Sequence, residues 1–136
     1  MFIIKSVEVQ DSSNVILHSE TDNILLHLEG DCCSSSYFDD GSVQDIRDLV
    51  GERLMSIESV GWSCPDSDPC QCNGGYGDGR TDHMALILKT DKQSISALWR
   101  NDSNGYYSGW LETAINGKST HYDYDGDKAL KTLLEA

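Results

Sequence analysis

The chain has 136 residues, 38% of them hydrophobic and 24% charged, with two prolines and five cysteines. That composition suits one globular domain over residues 1–136, long enough to bury about two-thirds of the surface its unfolded form exposes. Ten lysines and arginines against 23 aspartates and glutamates give a formal net charge of −13, a field that repels DNA, RNA and anionic membranes and so argues against direct nucleic-acid or membrane binding.

Residues 2–9 read as a strand, with Ile3, Lys5, Val7 and Val9 on one face. The opening apolar run meets Lys5 at once, too short for a signal-peptide core, and no segment approaches the roughly 20 apolar residues of a membrane span. A soluble, cytoplasmic protein is expected. Residues 15–18 and 24–28 are two further strands, set off by the polar turns at 11–14 and 21–23. Short strands joined by tight turns make an antiparallel meander, because parallel pairing needs a long crossover.

Next comes Gly30-Asp31-Cys32-Cys33-Ser34-Ser35-Ser36-Tyr37-Phe38-Asp39-Asp40, a turn-rich run around which the other segments are arranged. The spacing of Val43, Ile46, Leu49 and Val50 then predicts a two-turn helix, with Ser42 as its N-terminal cap and Gly51 closing it. A fourth strand is expected over residues 53–62 and a long loop over 63–82, where both prolines and three cysteines fall. Residues 84–90, 93–100 and 106–115 read as three more strands, with a turn over 101–105 whose Asn104-Gly105 is a hairpin signal, a further turn at Asn116-Gly117, and residues 127–135 a terminal helix. The expected fold is a single α+β domain: a twisted antiparallel sheet of about seven strands, one short helix packed on it, and a short C-terminal helix.

The 30–40 run, the following Asp48-Leu49-Val50-Gly51 and the later Trp99-Arg100-Asn101-Asp102-Ser103-Asn104-Gly105-Tyr106-Tyr107-Ser108-Gly109 resemble a family of small phage and prophage proteins of unknown function. The likeness extends to about Glu112. It implies a phage accessory protein acting in the host-cell cytoplasm, and it favours an anti-defence role by analogy.

No Ser-His-Asp, paired-glutamate or His-x-x-x-His pattern stands out, so no catalytic residue is assigned and a non-enzymatic protein is expected. Cys32 or Cys33 as a nucleophile is opposed by Asp31, Asp39 and Asp40, whose charge disfavours a thiolate. Residues 1–68 carry three basic and fourteen acidic side chains, against seven and nine in residues 69–136. An acidic face of Asp39, Asp40, Asp45, Asp48, Glu52 and Glu58 would then mimic phosphates on a basic host surface, in the manner of an anti-CRISPR or other DNA-mimicking inhibitor.

Two alternatives stay open. Arg80, Arg100, Tyr106 and Tyr107, together with Lys92, would form a sponge for a small nucleotide signal if they converge. Cys64, Cys70 and Cys72 would hold zinc in an interaction module if a fourth ligand such as Cys32, Cys33 or His83 joins them. With five cysteines, disulfides and free thiols are open too. Neither a resident cofactor nor an oligomeric state follows from these residues.

Overall fold

The computed structural model describes residues 1–30, 34–63, 80–103, 109–120 and 126–136. In chain order they form β1 (Phe2–Ile3), β2 (Ser6–Asp11), β3 (Asn14–His18), β4 (Asn23–Gly30), β5 (Ser35–Phe38), α1 (Asp40–Arg47), β6 (Arg53–Ser63), β7 (Arg80–Thr90), β8 (Ser94–Ser103), β9 (Gly109–Ile115), β10 (Lys118–Ser119) and α2 (Gly126–Glu135). The strands make two antiparallel five-stranded sheets, β1-β6-β7-β8-β5 and β10-β9-β4-β3-β2. The α+β class and the antiparallel meander agree with expectation. The single sheet of about seven strands does not: the strands divide into two sheets that bury their inner faces in one hydrophobic cluster.

The division begins inside the first predicted strand. Phe2 and Ile4 are buried, but further on it is Val7 that is buried, with Val9 packed against the core. Side chains alternate strictly along a strand, so a switch from even to odd positions turns the chain at Lys5. The backbone shows this crossing. Ile4 N–H donates to Glu52 O at 3.0 Å beside β6, and Lys5 N–H donates to His18 O at 2.7 Å beside β3. A second parity change sits at the start of β6, where the β6–β7 register shifts between Leu54 and Ser56. This bulge leaves Leu54 buried and Met55 exposed, and it puts Ile57 against the core.

Inner faces supply Val15, Leu17, Ile24, Leu26 and Leu28 from the second sheet and Leu54, Leu86, Leu88, Ala97 and Trp99 from the first. Each fully buried aliphatic side chain contributes about 1.5–3 kcal/mol of transfer free energy. Helix α1 adds Val43 and Ile46, followed by Leu49 just past its end, while α2 adds Leu134. Asp39 takes the N-cap position rather than Ser42, and its side chain makes no capping hydrogen bond. Gly51 has φ of +94°, the left-handed conformation expected for a residue ending this turn. At the β9–β10 turn, Asn116 and Gly117 have φ of 51° and 84°, in keeping with the turn expected there. The turn expected over 101–105 starts too early, because residues 101–103 continue β8, and Asn104-Gly105 lies outside the described residues.

Candidate functional site

The turn-rich run contains a strand that its serines conceal. Its second half is β5, which pairs with β8 so that Ser36 lies opposite Asn101 and Phe38 opposite Trp99. On its other side β5 reaches the second sheet. Phe38 N–H donates to Ser12 O at 2.7 Å. Ser13 Oγ donates to Ser36 O at 2.5 Å, and Ser36 Oγ donates to Glu29 O at 2.8 Å while accepting from Asn101 Nδ2 at 2.9 Å. The ends of β4 and β9 meet here as the pair Gly30 and Gly109. A Cβ at Gly109 would overlap Ser36 Oγ and stand 2.7 Å from Asn101 Nδ2; one at Gly30 would stand 2.5 Å from Ser34 Oγ. The two glycines thus leave the space that the Ser36–Asn101 pair occupies. Asn101 is fully buried. Among the described residues its Oδ1 and the indole nitrogen of Trp99 lack hydrogen-bond partners, a local cost that the surrounding packing must offset.

The six carboxylates expected on an acidic face are placed unequally. Asp40, Asp45 and Asp48 are exposed on and just after α1, opposite the buried Val43, Ile46 and Leu49. From Asp40 to Asp48 the helical rise covers about 12 Å, with Arg47 the one cation in that segment. Asp39 instead faces Arg100, whose Nε lies 2.9 Å from Asp39 Oδ1. That Nε N–H makes no directed hydrogen bond, but Arg100 Nη2 donates to Asp39 Oδ2 at 3.5 Å, so the contact is an ion pair with one long hydrogen bond. Glu52 accepts from Thr90 Oγ1 at 2.6 Å and from Gln93 Nε2 at 2.8 Å, which fixes the β7–β8 turn. Glu58 is exposed on β6, opposite Ile87.

Of the alternative ligand set, Arg100 is engaged by Asp39, and the backbone of Arg80, at the start of β7, pairs with Ser103 at the end of β8. Tyr106 and Tyr107 lie outside the described residues, as do Cys32, Cys33, Cys64, Cys70 and Cys72. Beside Arg100, Tyr37 donates to Asp102 Oδ2 at 2.7 Å. Burial first, then this hydrogen bond, pushes the Tyr37 phenol up to about 12.

The outer face of the second sheet carries a cluster that the sequence reading did not assemble. His27 on β4 pairs across the strands with Asn14 on β3 and Glu112 on β9. His27 Nδ1 lies 2.6 Å from Asn14 Oδ1, and Nε2 lies 3.0 Å from Glu29 Oε2. The ligand-type atoms of His27, Glu29 and Glu112 all lie within 4.8 Å of one another. Trp110 Nε1 donates to Glu112 Oε1 at 3.0 Å. Glu29 Oε1 also accepts from the Gly30 N–H at 3.2 Å. The legible signals were the i, i+2 pairs His27–Glu29 and Trp110–Glu112, each on one face of a strand. What brings them together is a pairing between strands distant in the chain.

A groove of about 740 Å³ between the β9–β10 turn and α2 is lined by Ile115, Lys118, Thr120, Lys128, Thr132 and Leu133. Its size suits a small ligand, but its lining shows no convergent set of buried polar groups.

This architecture, two sheets joined by a serine–asparagine corner and an acidic helix, defines a small β-rich protein with no recognisable catalytic constellation among its described residues. The chain belongs to the family described as Domain of unknown function (DUF7448), which matches residues 2–112. It is 32% identical over 112 residues to an uncharacterized protein of Acanthamoeba polyphaga mimivirus, covering 80% of this chain and 84% of that protein. The relative is viral, of an amoeba virus rather than a phage. The family match ends at Glu112, where the resemblance seen in the sequence also ends, and it leaves out β10 and α2. No solved structure matches this chain. No helix among the described residues is long and apolar enough to cross a membrane.

Proposed function

We propose that this protein is a non-enzymatic viral accessory protein that occupies a basic surface of a host protein, one that otherwise holds nucleic acid. The observation that carries this reading is the exposed side of α1. Asp40, Asp45 and Asp48 stand outward there on a helix whose opposite side is locked in the core. Three carboxylates spanning about 12 Å of helix stand about 6 Å apart on average, with Arg47 among them, a sparser line of charge than the one per about 3.4 Å along a single strand of duplex DNA. The backbone and the buried Val43 and Ile46 pre-organise the charges, so little ordering entropy opposes binding. The net charge of −13 adds a long-range field that speeds encounter with a basic partner. A virus-encoded blocker of a defence complex, including an anti-CRISPR role, fits this chemistry. The nucleotide-sponge alternative has less support, because Asp39 already neutralises Arg100.

The test uses proteins that a heparin column retains from host lysate, passed over immobilised full-length protein. Wild type should hold a defined subset, and the triple variant Asp40→Asn/Asp45→Asn/Asp48→Asn should lose it. Retention of the same proteins by both would overturn the reading.

A further inference from the structure

The outer cluster of the second sheet poses a donor–acceptor problem that its own hydrogen bonds define. Asn14 Nδ2 donates to both oxygens of Asp11, at 2.9 and 3.0 Å. This fixes the amide orientation, because the reversed amide would aim Oδ1 at a carboxylate. Asp11 is itself held in place by the Ser13 N–H at 2.8 Å. Asn14 Oδ1 must therefore face His27, and the 2.6 Å contact requires a proton on His27 Nδ1. In the neutral ring, Nε2 then carries a lone pair, and that lone pair faces Glu29 Oε2 at 3.0 Å. Two acceptors at that distance repel one another unless a cation lies between them or Nε2 is protonated.

A metal ion resolves the contact. Two ligands at right angles, each about 2.1 Å from a metal, stand about 3 Å apart, which matches the separation between His27 Nε2 and Glu29 Oε2. Metal-bound histidines commonly donate their other N–H to a neighbouring acceptor, which sets tautomer and ring orientation. Asn14 is that acceptor here, and Asp11 orients Asn14 in turn. On the far side, the Trp110 indole holds one Glu112 oxygen at 3.0 Å. The donors sit on two adjacent, directly paired strands, not on a loop, so the set is rigid. The side chains of His27 and Glu29 are 29% and 45% exposed, which leaves an entry path from solvent.

We propose that His27, Glu29 and Glu112 bind one divalent transition-metal ion, through His27 Nε2 and a carboxylate oxygen of each glutamate, with Asn14 and Trp110 as positioning residues. One imidazole and two carboxylates suit an ion of the manganese, iron or zinc type, with water completing its shell. The site lies on the outer face of the second sheet and does not depend on the acidic helix.

Manganese is the probe of choice, because thiolates prefer softer ions and the chain has five cysteines. Full-length protein is titrated with Mn²⁺ and free ion is read by electron paramagnetic resonance. Wild type should bind one ion per chain. His27→Gln and Glu112→Gln should each weaken binding at least about tenfold, and Asn14→Ala about 10–100-fold. Thermal melts of each variant without metal establish that it is folded. Absence of stoichiometric binding by wild type, or equal binding by wild type and a folded His27→Gln, would overturn the proposal. In that case Nε2 is protonated and the pair is an imidazolium–carboxylate ion pair.

Discussion

The Gly30 side of the corner and the exposed side of α1 are close neighbours in the chain, with β5 between them, yet corner and helix treat polar groups in opposite ways. At the corner, Ser36 and Asn101 turn inward and bond to one another, and two strands give up side chains to make room. Along α1, the apolar residues turn inward and the carboxylates are left to solvent. Within the most recognisable stretch of the sequence, Ser36 and Phe38 are therefore consumed by packing. Of the carboxylates able to meet a partner, Asp40 ends that stretch and Asp45 and Asp48 lie just beyond it. The same division recurs along β4 and β9: their paired glycines build the corner, while His27 and Glu112, three positions away, present ligands on the outer face.

The sharpest break in that comparison comes from filling the corner. Gly109→Val should destabilise the fold by about 2–3 kcal/mol, because the added atoms have no space beside Ser36 and Asn101. The urea midpoint should fall with the slope unchanged. An unshifted midpoint would mean that the corner is not close-packed. Asp39→Ala should cost at most about 1 kcal/mol, since the Asp39 and Arg100 side chains are 25% and 41% exposed and no capping bond is lost.

Tyr37→Phe probes the edge of the same region. The folded-state pKa of Tyr37 is raised from 10.0 to about 12, so the protonated phenol is favoured by folding. Its stabilisation is fully present below pH 10 and is lost as pH rises toward 12. Wild-type melting temperature should therefore fall across that window, and Tyr37→Phe should flatten part of the fall. Parallel curves would show that the phenol is not held differently in the folded state. Least of all, the triple α1 variant should change stability by no more than about 0.5 kcal/mol, as for exposed positions without specific contacts. A large loss would mean that those carboxylates support the fold.

Most of the strands were legible from alternation, and the helix from its apolar spacing, because both periods are local. The division into two sheets was written in the parity of buried residues, Phe2 and Ile4 against Val7, but a chain that merely continues extended looks like one strand. β5 was hidden because Ser34-Ser35-Ser36 reads as a turn, although Ser36 and Phe38 alternate as a strand should. The α1 carboxylates were visible in the sequence. That Asp39 and Glu52 are drawn into internal contacts was not, since Arg100, Thr90 and Gln93 lie far along the chain. The outer cluster was missed for the same reason: its three members come together only through the β4–β9 pairing.

The central claim is that α1 stands in for nucleic acid on a basic surface. It is tested most directly by adding duplex DNA to the proteins retained on the immobilised wild type. The account predicts that DNA releases them in proportion to its concentration, because the two occupy one surface. Retained proteins that bind DNA while still held by this protein would contradict it.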